Sequence, residues 1–116
     1  MGFDPTRAAG GFVGVSAGGT SNPFSLPTGA TGAYVASIVA GIAGNSPSFQ
    51  LFLDLADAAG NFQQVAAVAA QTATGTQTSL VQPLASNLTT VARFRWTISA
   101  ASGSPTANVG MFCTGA

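Results

Sequence analysis

Arg93 and Arg95 stand two residues apart in Val91-Ala92-Arg93-Phe94-Arg95-Trp96-Thr97-Ile98, beside the only tryptophan of the chain. A planar guanidinium at such spacing can pair with a carboxylate or a backbone carbonyl, and arginine is enriched at protein interfaces for that reason. Two readings of the pair follow: a solvated face that pairs with Asp54 across a sheet, or a contact between subunits. The carboxylates are few, since Asp4, Asp54 and Asp57 are the only acidic residues and glutamate is absent. Histidine is absent too, which removes the usual general base and the commonest metal ligand. Ser-His-Asp and Cys-His arrangements are therefore impossible, and the serines sit in turns without a base. No catalytic residue, cofactor or metal is expected, and the chain reads as a non-enzyme.

The remaining candidate chemistry has a plainer explanation in each case. Asp54-Leu55-Ala56-Asp57-Ala58-Ala59-Gly60-Asn61 superficially suggests calcium. It lacks both the alternating oxygen ligands and the closing glutamate of such a loop. Asp57 then reads as a turn former and Asp54 as solvated. Asn87-Leu88-Thr89 matches a glycosylation triplet, and Met1-Gly2-Phe3-Asp4-Pro5-Thr6 a myristoylation spacing, both short patterns. Cys113, the single cysteine, reads as a small buried apolar side chain. No apolar stretch reaches the ~20 residues of a membrane helix, and no signal peptide is expected.

These residues have to be positioned by strands. In the central stretch Phe94, Trp96 and Ile98 alternate with Arg93, Arg95 and Thr97, so the aromatic set faces a core and the arginines face outward. Phe49, Leu51, Leu53 and Leu55 alternate inward in the same way, with Gln50, Phe52 and Asp54 outward. An outward phenylalanine on a sheet face is a candidate anchor. Tyr34 to Ile42 reads as a strand with Tyr34, Ala36, Ile38 and Ala40 on its inward face. Residues 62–72 have helical spacing and helix-forming alanines, yet they lie between strands without a charged face, so strand is predicted against local propensity. Thr76 to Val81 is another strand, Ser102 to Thr106 a turn, and Ala107 to Cys113 the last strand. Superposing Pro47 on Pro105 makes Tyr34–Leu55 echo the segment from Phe94 to Cys113, which reads as two hairpins of like pleat. Several short strands at this spacing predict an all-β fold, a compact antiparallel sandwich or barrel-like domain over residues 33–116.

Residues 1–32 are rich in glycine, proline and threonine, with Phe3, Phe12 and Phe24 isolated among them. They read as an extended N-terminal arm whose aromatics dock on a partner and which is mobile in the isolated protein. Charged residues are only 5% of the chain, against about 25% in an average soluble protein. At formal net charge zero such a monomer should be poorly soluble, so assembly is favoured, and nothing favours nucleic acid or a membrane as partner. Disorder fails as an explanation because 47% of the residues are hydrophobic. The interface candidates are thus Phe3, Phe12, Phe24, Phe52, Arg93 and Arg95.

The segment from Phe94 to Val109 joins Phe-Arg-Trp-Thr-Ile to a Gly-Ser-Pro-Thr turn and a closing apolar strand. In this it resembles small virion proteins of tailed bacteriophages, several of which decorate or cement the head; the resemblance covers Ala33 to Cys113. It implies a compact β-sandwich, an oligomer with three copies as the working number, and the major capsid protein or another virion protein as partner at the capsid surface. It supplies no catalytic residues, and it implies a use for the arm, laid across neighbouring subunits. The scarcity of charge departs from the family and leaves head and tail locations both open, so a tail, baseplate or fibre-associated domain is the alternative. A carbohydrate-binding module with Tyr34 or Trp96 as platform is a further alternative, but it needs outward aromatics where both are expected inward.

Overall fold

The computed structural model describes residues 9–27 and 29–115. Nine strands appear among them: β1 (Ala9–Val15), β2 (Gly19–Thr20), β3 (Phe24–Ser25), β4 (Ala33–Asn45), β5 (Ser48–Asp57), β6 (Phe62–Ala67), β7 (Gly75–Val81), β8 (Leu88–Ser99) and β9 (Ser102–Gly115). They form an all-β, antiparallel, two-layer sandwich. Sheet A has the order β1-β9-β4-β7; sheet B has β2-β8-β5-β6, with β3 also paired to β8.

The alternation read in β5 holds: Phe49, Leu51, Leu53 and Leu55 are fully buried between the layers. Facing them from sheet A are Val35, Val39, Val109 and Cys113, also buried. In β8, Phe94 is buried, and half-buried Trp96 and Ile98 pack against the same core. Four leucine- or phenylalanine-sized side chains taken from water stabilise the fold by roughly 1.5–3 kcal/mol each.

Within segment 62–72 strand runs over Phe62–Ala67, with β6 paired to β5, and Gln71 adds an isolated bridge to Phe49. Helical spacing loses here because the edge of β5 offers hydrogen bonds while Ala66 and Val68 reach the core in strand alternation. Gln71 is buried, accepts a hydrogen bond from the Ser37 hydroxyl (2.6 Å) and donates one to the Gly75 carbonyl (2.9 Å), closing this side of the sandwich.

Three expectations change. Tyr34, Ala36, Ile38 and Ala40 do not face inward; Val35, Ser37 and Val39 do. The cause is a bulge between Val39 and Gly41 in the β4–β9 ladder. An inserted residue reverses which parity meets the core, so Ile42 packs inward on one side of the bulge and Val39 on the other. Ser102 to Thr106 is strand, not turn, and the chain corner falls at Ala100 and Ala101. Pro105 is tolerated because it lies in a second irregularity of that ladder, between Ala43 and Asn45, where Gly44 lies against it. A Cβ on Gly44 would come within 3.2 Å of the Pro105 Cα.

The echoed segments, finally, are not hairpins. β4 and β5 belong to different sheets, as do β8 and β9. Each pair is an arch that gives one strand to each layer, and the two arches interlock, β4 on β9 and β5 on β8.

The described part of the glycine- and proline-rich stretch is extended and is seated on this same chain. β1 runs along β9 from Ala9↔Cys113 to Val15↔Ala107, while β2 and β3 add to β8. Val15 and Leu26 are buried in the core. Ladder hydrogen bonds to two sheet edges provide the stabilisation that isolated apolar anchors lack, so docking needs no partner here.

Candidate interface

Arg93 and Arg95 come to one carboxylate. Asp54 in β5 is paired directly with Arg93 of β8, and Arg95 lies one outward position along the same strand. The Nε of each arginine donates to Asp54 Oδ2 at 3.1 Å, and Arg95 Nη2 donates to Oδ1 at 3.3 Å. Arg95 Nη2 also donates to Gln64 Oε1 at 2.7 Å, from β6 on the far side of Asp54. The Arg93 guanidinium lies 4.2 Å from the centroid of the Phe62 ring, and that of Arg95 lies 4.3 Å from that of Phe52. Both distances suit a cation over an aromatic face. The long side chains roof the carboxylate, so Asp54 is buried rather than solvated although it points away from the core. The arginine side chains keep 29% and 30% exposure. The pairing with Asp54 is present within the chain and engages the Nε of both arginines and the Nη2 of Arg95.

The other candidates lie apart from this cluster. Phe52 faces outward on sheet B as expected, half-buried beneath Arg95. Phe24 is not displayed: its ring packs on Phe94 with centroids 5.0 Å apart. Phe12 is exposed on the outer face of sheet A, edge-on to Phe112 at 5.7 Å. Both rings lie over Gly110, where a Cβ would fall within 2.9 Å of them, so glycine is what lets them approach the strand there. Phe3 lies outside the described residues. A cleft of about 450 Å³ opens between the layers beside β1, lined by Val13, Phe24, Phe94, Trp96 and Met111 among others. Trp96 thus borders a cleft, with its indole N–H donated to the Ala17 carbonyl at 3.0 Å.

Asp57 is a turn former, as read. Its Oδ1 accepts from the Ala59 and Asn61 amides at 2.9 and 3.0 Å, and Gly60 takes a positive φ of 90°. The Asn61 amide above all, with that of Ala59 behind it, holds the carboxyl below its ordinary pKa. Cys113 is buried, and burial pushes its thiol pKa up to about 12. Among the described residues no three acidic, cysteine or histidine side chains gather as a metal site would require.

What the sequence did not indicate is the outer face of sheet A. By register, Phe12, Phe112, Tyr34, Ile38 and Leu80 share it with Ala36, Gly110, Thr76 and Thr78. The described charged residues all lie elsewhere: Asp54, Arg93 and Arg95 on sheet B, and Asp57 in its turn. The available signal was Gly41 inside a strand, which marks a bulge and hence a change of face. No family model matches the chain, and no curated protein matches it significantly.

Proposed function

We propose that this protein is a non-enzymatic structural component of a bacteriophage virion, decorating and cementing the capsid through oligomeric β-domains. The observation that carries the proposal is how the charge is distributed. The two described arginines share one carboxylate within the chain, and the outer face of sheet A carries Phe12, Ile38, Leu80 and Phe112 beside threonines and, among described residues, no charge. Such a face is costly in water and gains by being covered with protein, as in a shell. The two-layer fold also agrees with what the resemblance of Phe94–Val109 implies.

The test is co-sedimentation of the purified chain with phage heads and, separately, with purified tails. Saturable binding to heads that raises their resistance to heat supports decoration. Binding confined to tails supports the baseplate or fibre alternative, and binding to neither sinks both. Tyr34 on an outer face and Trp96 beside the inter-sheet cleft remove the objection to a carbohydrate module that both aromatics face only the core. A glycan array decides that alternative.

A further inference from the structure

We propose that the outer face of sheet A is a self-association surface on which two copies stack face to face about a two-fold axis. This deepens the assembly part of the reading above and rests on it. Leu80 and Phe12 are 56% and 52% exposed on this face, and Ile38 and Ala36 lie between them on β4. Exposed Thr76 and Thr78 complete the β7 margin.

The occupant follows from charge and area. A foreign protein surface carries many charged residues, and covering them with this face would strip their water and return no partner. A second copy presents a surface of matching neutrality. Size points the same way. β1 and β7, at the two edges, are seven residues long. Four strands ~4.8 Å apart and seven residues of ~3.3 Å give a footprint of roughly 19 by 23 Å. Corrugation by side chains enlarges the accessible area, so two faces bury on the order of 1,000 Å² together, the threshold of a specific interface. Obligate dimers bury about twice that or more, so the contact is reversible and concentration-dependent. Stacked sheets sit ~10 Å apart with strands near −30°, and large side chains of one fill low points of the other. Ala36 provides such a low point, between Tyr34 and Ile38 along β4 and opposite Phe112 and Thr78. An isologous contact closes at two copies, so it replaces three as the working number.

The experiment is sedimentation equilibrium of the full chain over a range of concentrations, without particles. The variants are Leu80→Lys and Thr78→Lys on this face and Thr97→Lys on the other sheet; all three side chains are exposed, and circular dichroism checks folding. The expected result is a monomer–dimer equilibrium that either lysine on sheet A weakens by more than about tenfold and Thr97→Lys leaves unchanged. A wild-type monomer overturns the proposal, whatever else covers the face. So does a trimer, or a dimer indifferent to Leu80→Lys and Thr78→Lys. A dimer that fails to bind particles overturns the virion reading and leaves this inference standing; a monomer that binds them does the reverse.

Discussion

Asp54→Ala should be among the more damaging single changes outside the core. The carboxylate is 2% exposed and holds three guanidinium contacts between 3.1 and 3.3 Å. Removing one partner of a buried ion pair costs about 3–5 kcal/mol. Because the arginine side chains are 29% and 30% exposed, water recovers part of that, which leaves about 2–3 kcal/mol. Two guanidinium groups that shared one oxygen then face each other across a small gap. Asp54→Asn keeps the shape and one acceptor and should cost about half as much. Arg95→Ala leaves Arg93 on the carboxylate and should cost least of the three, about 1 kcal/mol. Urea denaturation followed by fluorescence reports all of these, since Trp96 is the sole tryptophan and lies on the same strand. The Asp54→Ala deficit should persist in molar salt, because a roofed carboxylate is poorly screened. A deficit under about 0.5 kcal/mol, or one that vanishes with salt, would show that the arginines are merely a solvated face.

Native Cys113 should resist a thiol reagent at pH 8: lifting its pKa from 9.0 to about 12 lowers the thiolate population about a thousandfold, and labelling should track unfolding by denaturant. Gln71→Leu should destabilise by about 1–3 kcal/mol because it orphans the buried Ser37 hydroxyl, and Ser37→Ala in the same chain should recover part of that loss in a double-mutant cycle. Trp96→Ala should cost about 2–3 kcal/mol, less than a fully buried tryptophan, since its ring is half-buried at the cleft; a loss below that of Arg95→Ala would invert the assignment of faces on β8.

Much of sheet B was legible because β5 and the Phe94–Ile98 stretch alternate without interruption. In Phe49–Leu55 every inward position is apolar, and nothing between Phe94 and Ile98 breaks the period. β4 was misread because one inserted residue near Ala40 exchanges its faces, and a bulge is a property of the pair, set by how β4 meets β9. Pro105 misled for a related reason: it signals a turn in sequence and occupies a ladder irregularity in space. Arches and hairpins look alike in sequence, because alternation says which side of a strand is apolar and is silent on which layer it joins. The burial of Asp54 needed Gln64 from β6 and both arginines from β8, a gathering that no local pattern encodes. The seating of the described part of the N-terminal stretch depends on two sheet edges open to its backbone, which a weighing of phenylalanines alone overlooks.

The interlocked arches bear on how this chain must fold. Apart from the β5–β6 hairpin, its long pairings join distant segments: Val35 meets Cys113, and Gln50 meets Thr97. Neither arch has a strand partner within itself, so neither layer can be completed before both arches are present. Such topologies acquire structure late and slowly, because the loop-closure cost comes before the contacts that offset it. During synthesis β5 can pair β6 and β4 can pair β7, but the other edge of each waits for β8 or β9. A chain interrupted before β9 therefore leaves β1 without a strand partner and one edge of β4 open, a state exposed to aggregation.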